Sequence, residues 1–91
     1  MDSPTYQIAL AVFNDRATES ARVAAVRELV AGASRDNAAH RLTLVASAEI
    51  RKPIYEGAGL VSIWDVAHAV LDMQIEHAID TLELAKGARH A

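Results

Sequence analysis

Few residues of this chain have the types and spacing that chemistry needs. His68 and Asp72 stand four apart, with Glu76 and His77 following, so a His/carboxylate pair for a metal ion can be drawn on one side of a helix. His68 and His77 would point to opposite flanks of that helix, and one imidazole with one carboxylate is an incomplete ligand set. The metal reading needs a symmetric dimer that brings two His68 side chains together. Gly57-Ala58-Gly59 ahead of a helix has the outline of a phosphate-cradling turn, because N–H groups at a helix N-terminus attract anions. The GxGxxG and GxxxxGK[ST] spacings are missing, and Asp65 puts negative charge where a phosphate would sit. Ser20, Ser34, Ser47 and Ser62 accompany His40, but none lies in a GxSxG elbow. With no cysteine, a thiol nucleophile, a CxxC redox pair and a thiolate zinc site are all excluded. No catalytic residue and no cofactor is assigned, and the balance is against an enzyme.

Trp64, beside Ile54 and Tyr55 across the Pro53–Gly59 loop, forms the best candidate surface for a protein partner, since aromatic anchors dominate binding energy. Packing at a dimer seam explains the same residues equally well. Arg41, Arg51 and Lys52 flank one segment and would either bind an acidic partner or solubilise an exposed face.

The elements that must position these groups follow from patterning. At 91 residues the chain is read as a single domain, 1–91, in which 52% of residues are apolar. Nineteen of them are alanine and only four are aromatic, so large core-filling side chains are scarce. Residues 5–13 place Tyr6, Ile8, Leu10 and Val12 on one parity, which predicts a strand covered on both faces. Asn14-Asp15 caps a helix over 16–31 whose stripe is Val23, Val26, Leu29 and Val30, ended by Gly32. Residues 41–51 alternate again, with Leu42, Leu44, Ala46, Ala48 and Ile50 inward, which predicts a second strand ended by Pro53. A strand, a helix and a strand joined by so long a crossover favour a right-handed parallel βαβ unit. Ser62 and Asp65 open a last helix that Gly87 ends. Its apolar stripe is Trp64, Ala67, Leu71, Ile75, Ala78, Leu82 and Ala85, widened by Ile63, Val66, Val70 and Leu84. That arc exceeds what a two-stranded sheet can cover, so a symmetry mate in a homodimer or higher homo-oligomer is expected.

The segment Thr5-Tyr6-x-Ile8-x-Leu10-x-Val12, then Thr18-Glu19-Ser20-Ala21-Arg22, and the stretch from Leu44 through Ile50 to Pro53 resemble the N-terminal half of KaiB-like proteins. The resemblance covers residues 5–53 and implies a thioredoxin-related fold without redox cysteines, acting by protein–protein contact. The second half departs from it, with a long acidic helix in place of the later elements.

The net charge is −3, and residues 60–91 carry five acids (Asp65, Asp72, Glu76, Asp80, Glu83) against two bases (Lys86, Arg89). An acidic helix face repels phosphate backbones, which excludes general nucleic-acid binding. No apolar run reaches the length of a membrane span, and the N-terminus lacks a secretory pattern, so the expected location is cytoplasmic. The fold expected is thus α/β or α+β: a β-α-β unit followed by a long amphipathic helix, dimeric through that helix. The function expected is that of a regulatory or adaptor protein. The alternative is a small-molecule- or metal-binding subunit whose site forms between protomers from His68, Asp72, Tyr55 and Trp64.

Overall fold

Ser3-Pro4 decides how the chain begins. In the computed structural model, which describes residues 3–50 and 61–90 and side chains as far as 49 and from 61 to 80, the Ser3 hydroxyl accepts the Tyr6 N–H at 3.1 Å and Pro4 occupies the first helical turn. Both are helix-start signals, since proline loses nothing where the N–H has no intrahelical partner. Residues 5–13 are therefore not a strand but the body of a helix, α1 (Pro4–Asn14). Its buried residues are Ile8, Ala9 and Val12, a helical stripe. Tyr6 and Leu10, which share the parity of Ile8 and Val12, stay exposed.

The second expected strand is overturned in the same way. Residues 41–51 lie largely within α3 (Arg35–Ile50), which opens with the Ser34 hydroxyl accepting the Asn37 N–H at 3.1 Å. Ala38, Ala39, Leu42, Ala46 and Glu49 are buried at helical spacing, while Leu44, of the same parity as Leu42, is 78% exposed. Alanine has the highest helix propensity and is depleted in strands, so an alanine-rich segment with accidental alternation folds as a helix. No strand occurs among the described residues, and the chain is a helical bundle rather than an α/β or thioredoxin-like domain.

The two segments read as helical are helical. Asp15 accepts the Ala17 N–H at 2.9 Å and leads through a 3-10 turn, Arg16–Thr18, into α2 (Glu19–Val30). Gly32 ends it at φ +103, with the Ala33 N–H bonded to the Glu28 carbonyl at 2.9 Å, a closure that needs the left-handed region. Ser62 caps α4 (Ile63–His90), which continues past the expected stop at Gly87.

α4 is the axis of the bundle. At 28 residues it is about 42 Å long, against about 24 Å for the 16 residues of α3, the next longest. α1 and α3 make its main contacts and α2 packs on both α3 and α4. Val66, Ala67, Val70 and Leu71 meet Ile8, Val12 and Leu42, and fully buried Ala9, Ala25, Ala38, Ala39 and Ala46 allow close approach of the backbones. Ala67 and Leu71, expected at a dimer seam, are thus core residues of one chain. The broad apolar arc of α4 has three helices of its own chain to cover it, instead of one small sheet. Leu82, Leu84 and Ala85 lie outside the described side chains.

Two charged residues are buried among the described ones, Arg22 and Glu49, and Arg22 reaches across the helices. Arg22 is 8% exposed; its Nε donates to the Thr18 hydroxyl at 2.9 Å, its Nη1 donates to Gln74 Oε1 at 2.6 Å, and its guanidinium lies 5.0 Å from the centre of the Phe13 ring. The Thr18 hydroxyl faces the Val12 carbonyl at 2.5 Å and the Asp15 carbonyl at 2.7 Å. Burial lowers the Arg22 pKa, opposed by Glu19 and Asp15. Arg22→Ala is expected to lower unfolding free energy by roughly 2–3 kcal/mol, the range for charged hydrogen bonds lost with a partner left unsatisfied. The Arg22→Met/Gln74→Leu pair should recover most of this in urea melts, because both polar ends leave the core together. Ala67→Leu should cost roughly 1–3 kcal/mol by overpacking at a point where helices touch.

Candidate functional site

The residues singled out for chemistry meet where the start of α3 crosses α4. His68 stands one turn after Trp64 and one turn before Asp72. The rings of Trp64 and His68 meet edge to face with centroids 4.9 Å apart. Arg35, from α3, donates through Nε to His68 Nδ1 at 3.2 Å and pairs through Nη2 with the Asp72 carboxylate. Nδ1 accepts, so the imidazole proton is on Nε2, 3.6 Å from Asp36 Oδ1.

The arrangement is a clamp between helices. The His68 lone pair and the Asp72 carboxylate that a metal would need are both engaged by Arg35, and a site built here would have to displace it. Among the described residues no group of three or more His, Cys, Asp or Glu side chains is placed to hold a metal ion. Of the serines, Ser34 and Ser62 serve as helix caps. The structure therefore brings together His68, Asp72 and Trp64, while Tyr55 and Ile54 lie outside the described residues, as does the Gly57–Gly59 turn. Trp64 is 40% exposed at the end of the clamp.

A second ion pair crosses from α2 to α3. Arg41 donates through Nε to Glu28 Oε1 at 3.0 Å and through Nη2 to the same oxygen, at the side of an open depression lined also by Asn37, His40, Thr43 and Leu44. The hydrogen bond from Arg41 holds the Glu28 carboxyl below the usual carboxylate range, with a smaller Coulombic contribution from Arg41, against some desolvation; Arg41 is raised in return.

The most distinctive surface is apolar. A groove of about 350 Å³ runs between α2 and α4, lined by Val26, Leu29, Val30, Ile75, Ala78 and Ile79. Val30 is 85% exposed and Ile79 50%. Every lining side chain is aliphatic. Sequence patterning placed Val26, Leu29 and Val30 on one stripe and Ile75 and Ala78 on another, but aimed the first stripe at a sheet and left Ile79 unremarked. The i, i+3, i+4 spacing of Ile75, Ala78 and Ile79 is the signal that identifies the α4 side of the groove. Among the described residues no helix is long and apolar enough to cross a membrane.

Trp64 is the sole tryptophan, so intrinsic fluorescence reports on the clamp. For Glu28, a depressed folded pKa means that stability is gained above the unfolded value and lost as pH falls through the folded one. Glu28→Gln should therefore melt below wild type at neutral pH, with the gap closing once acid has protonated the carboxyl. Comparison with family models, curated proteins and solved structures gives no match for this chain.

Proposed function

We propose that the chain is a helical interaction module, a regulatory or adaptor protein that works by contact with other protein surfaces and through self-association. The observation that carries this reading is the open aliphatic groove between α2 and α4. Ligand pockets of similar volume combine apolar walls with a few converging polar groups that fix a substrate. This groove has apolar walls alone, the chemistry of a surface that takes the apolar face of a helix. A rim-exposed valine and isoleucine flanking a common depression also form the kind of contiguous apolar patch that marks association rather than ordinary surface.

The remaining features fit the same reading. Of the polar groups that sequence patterning offered for catalysis, Ser34 and Ser62 cap helices and His68 and Asp72 tie α4 to α3. The acidic side of α4, with Asp65, Asp72, Glu76 and Asp80 exposed, gives any partner surface a preferred sign of charge and a preferred orientation. The alternative of a metal or small-molecule site between protomers would draw on His68, Asp72, Tyr55 and Trp64, and of these His68 and Asp72 are held by Arg35 within one chain.

The test is a comparison of wild type with Ile79→Glu and Trp64→Ala as baits in the native host, with quantitative mass spectrometry and the mass of each assembly measured by light scattering. The expected outcome is a specific associated species, either another protein or further copies of the chain, that Ile79→Glu reduces at least about tenfold. Recovery of no associated species by wild type, with the purified chain monomeric as well, overturns the reading.

A further inference from the structure

We infer that the occupant of the α2/α4 groove is the same groove of a second copy, in a two-fold dimer that sets Arg27 of each protomer against Glu76 of its partner. This deepens the reading of the groove as an interaction surface and rests on it.

The inference comes from how charge is distributed around the apolar strip. On the α2 side, Arg27 lies one turn from both Val23 and Val30 and is exposed. On the α4 side, Glu76 is one turn from Ile79 and is exposed as well. Asp72, the next acid along that edge, is already neutralised by Arg35. Neither Arg27 nor Glu76 makes an ion pair with any described residue of its own chain. The strip is thus aliphatic in the middle, basic along one edge and acidic along the other.

A surface of that form is complementary to itself. A two-fold axis through the centre of the groove lays α2 of one protomer over α4 of the other, so each basic edge meets an acidic edge and two equivalent pairs form at once. The same operation places Val30 and Ile79, the most exposed aliphatic groups of the strip, in the middle of the seam, where the largest removal of apolar surface from water occurs. A basic partner would satisfy the α4 edge and leave Arg27 facing like charge; an acidic partner would do the reverse. A second copy satisfies both.

The length of α4 adds a second argument. At about 42 Å it outruns every helix beside it, and the groove lies near its middle, at residues 75–79, with α2 as the other wall. Across the two-fold axis α2 of the partner lies on this stretch of α4, which no further described helix of the same chain covers.

Sedimentation velocity on the full chain from 1 to 100 micromolar, on the order of the range in which modest interfaces associate, tests the inference. Wild type is expected to sediment as a dimer whose dissociation constant rises roughly a hundredfold in Ile79→Asp, since two copies of the change enter one seam. Arg27→Glu and Glu76→Arg should each weaken dimerisation by about tenfold, and the double reversal should return to within about threefold of wild type. All three positions altered are at the surface, so circular dichroism and melting temperature of each monomer should match wild type and exclude misfolding as the cause. A monomeric wild type throughout this range, a dimer indifferent to Ile79→Asp, or a double reversal that is weaker than either single variant would each overturn the inference. A monomeric wild type that nevertheless captures a different protein through Ile79 would overturn only the two-fold dimer and leave the interaction-module reading standing.

Discussion

Arg22 is the constraint around which the rest of the bundle is arranged. A guanidinium cannot shed its charge at any accessible pH, so once α2 is turned inward the surroundings must supply hydrogen-bond acceptors in place of water. The acceptors come from different parts of the chain: the Thr18 hydroxyl from the 3-10 turn and the Gln74 amide oxygen from α4, fifty-two residues on, with the face of Phe13 from α1 completing the shell. Thr18 in turn is anchored on the end of α1 through the Val12 carbonyl. One side chain therefore fixes the relative position of three helices, and no described buried side-chain polar atom is left without a partner. Apolar packing alone, with so much of it alanine, would specify that arrangement less sharply, because small smooth contacts permit sliding.

From that fixed point the surface follows. With α2 held against α4 at Arg22 and Gln74, the residues further along both helices diverge into an aliphatic groove rather than close into core. Two turns past Arg22 stands Val30, exposed; a turn past Gln74 stands Ile79, half-exposed. At the other face, Arg35 ties α3 to α4 by way of His68 and Asp72, which uses up the groups that a metal or acid–base site would require. The open aliphatic groove and the engagement of His68 and Asp72 at the clamp are thus two results of the same packing.

The sequence was legible where local chemistry is unambiguous. Asp15 leading into a helix, Gly32 closing it in the left-handed region, and Ser62 opening α4 are read from single residues, because caps and glycine turns depend on neighbours in the chain. Alternation misled at residues 5–13 and 41–51. A short apolar run with alanine on the opposite parity satisfies both a period of two and a helical stripe, and the large side chains draw attention to the first. The signals that separate the two were present in Ser3-Pro4 and in Ser34 with Asn37, three residues apart, both of them helix starts. Of the site, His68 and Asp72 on one side of a helix could be read from spacing. Arg35, which decides what they do, is thirty-three residues from His68 and carries no local mark.

Composition, caps and periodicity determined by themselves that the chain has no thiol chemistry, where two of the four described α-helices lie, and that the last of them has more apolar circumference than one small partner can cover. Only tertiary structure decided what covers it. Whether Ala67 and Leu71 face a second copy or the chain's own α1 and α3 depends on whether residues 5–13 and 41–51 are strands or helices, and that choice depends on which structure buries more. An alanine stripe is nearly silent in isolation and gains meaning only when another backbone comes close to it. The chain's own helices bury one side of α4 as far as Gln74, and the aliphatic strip at residues 75–79 is left open beside α2.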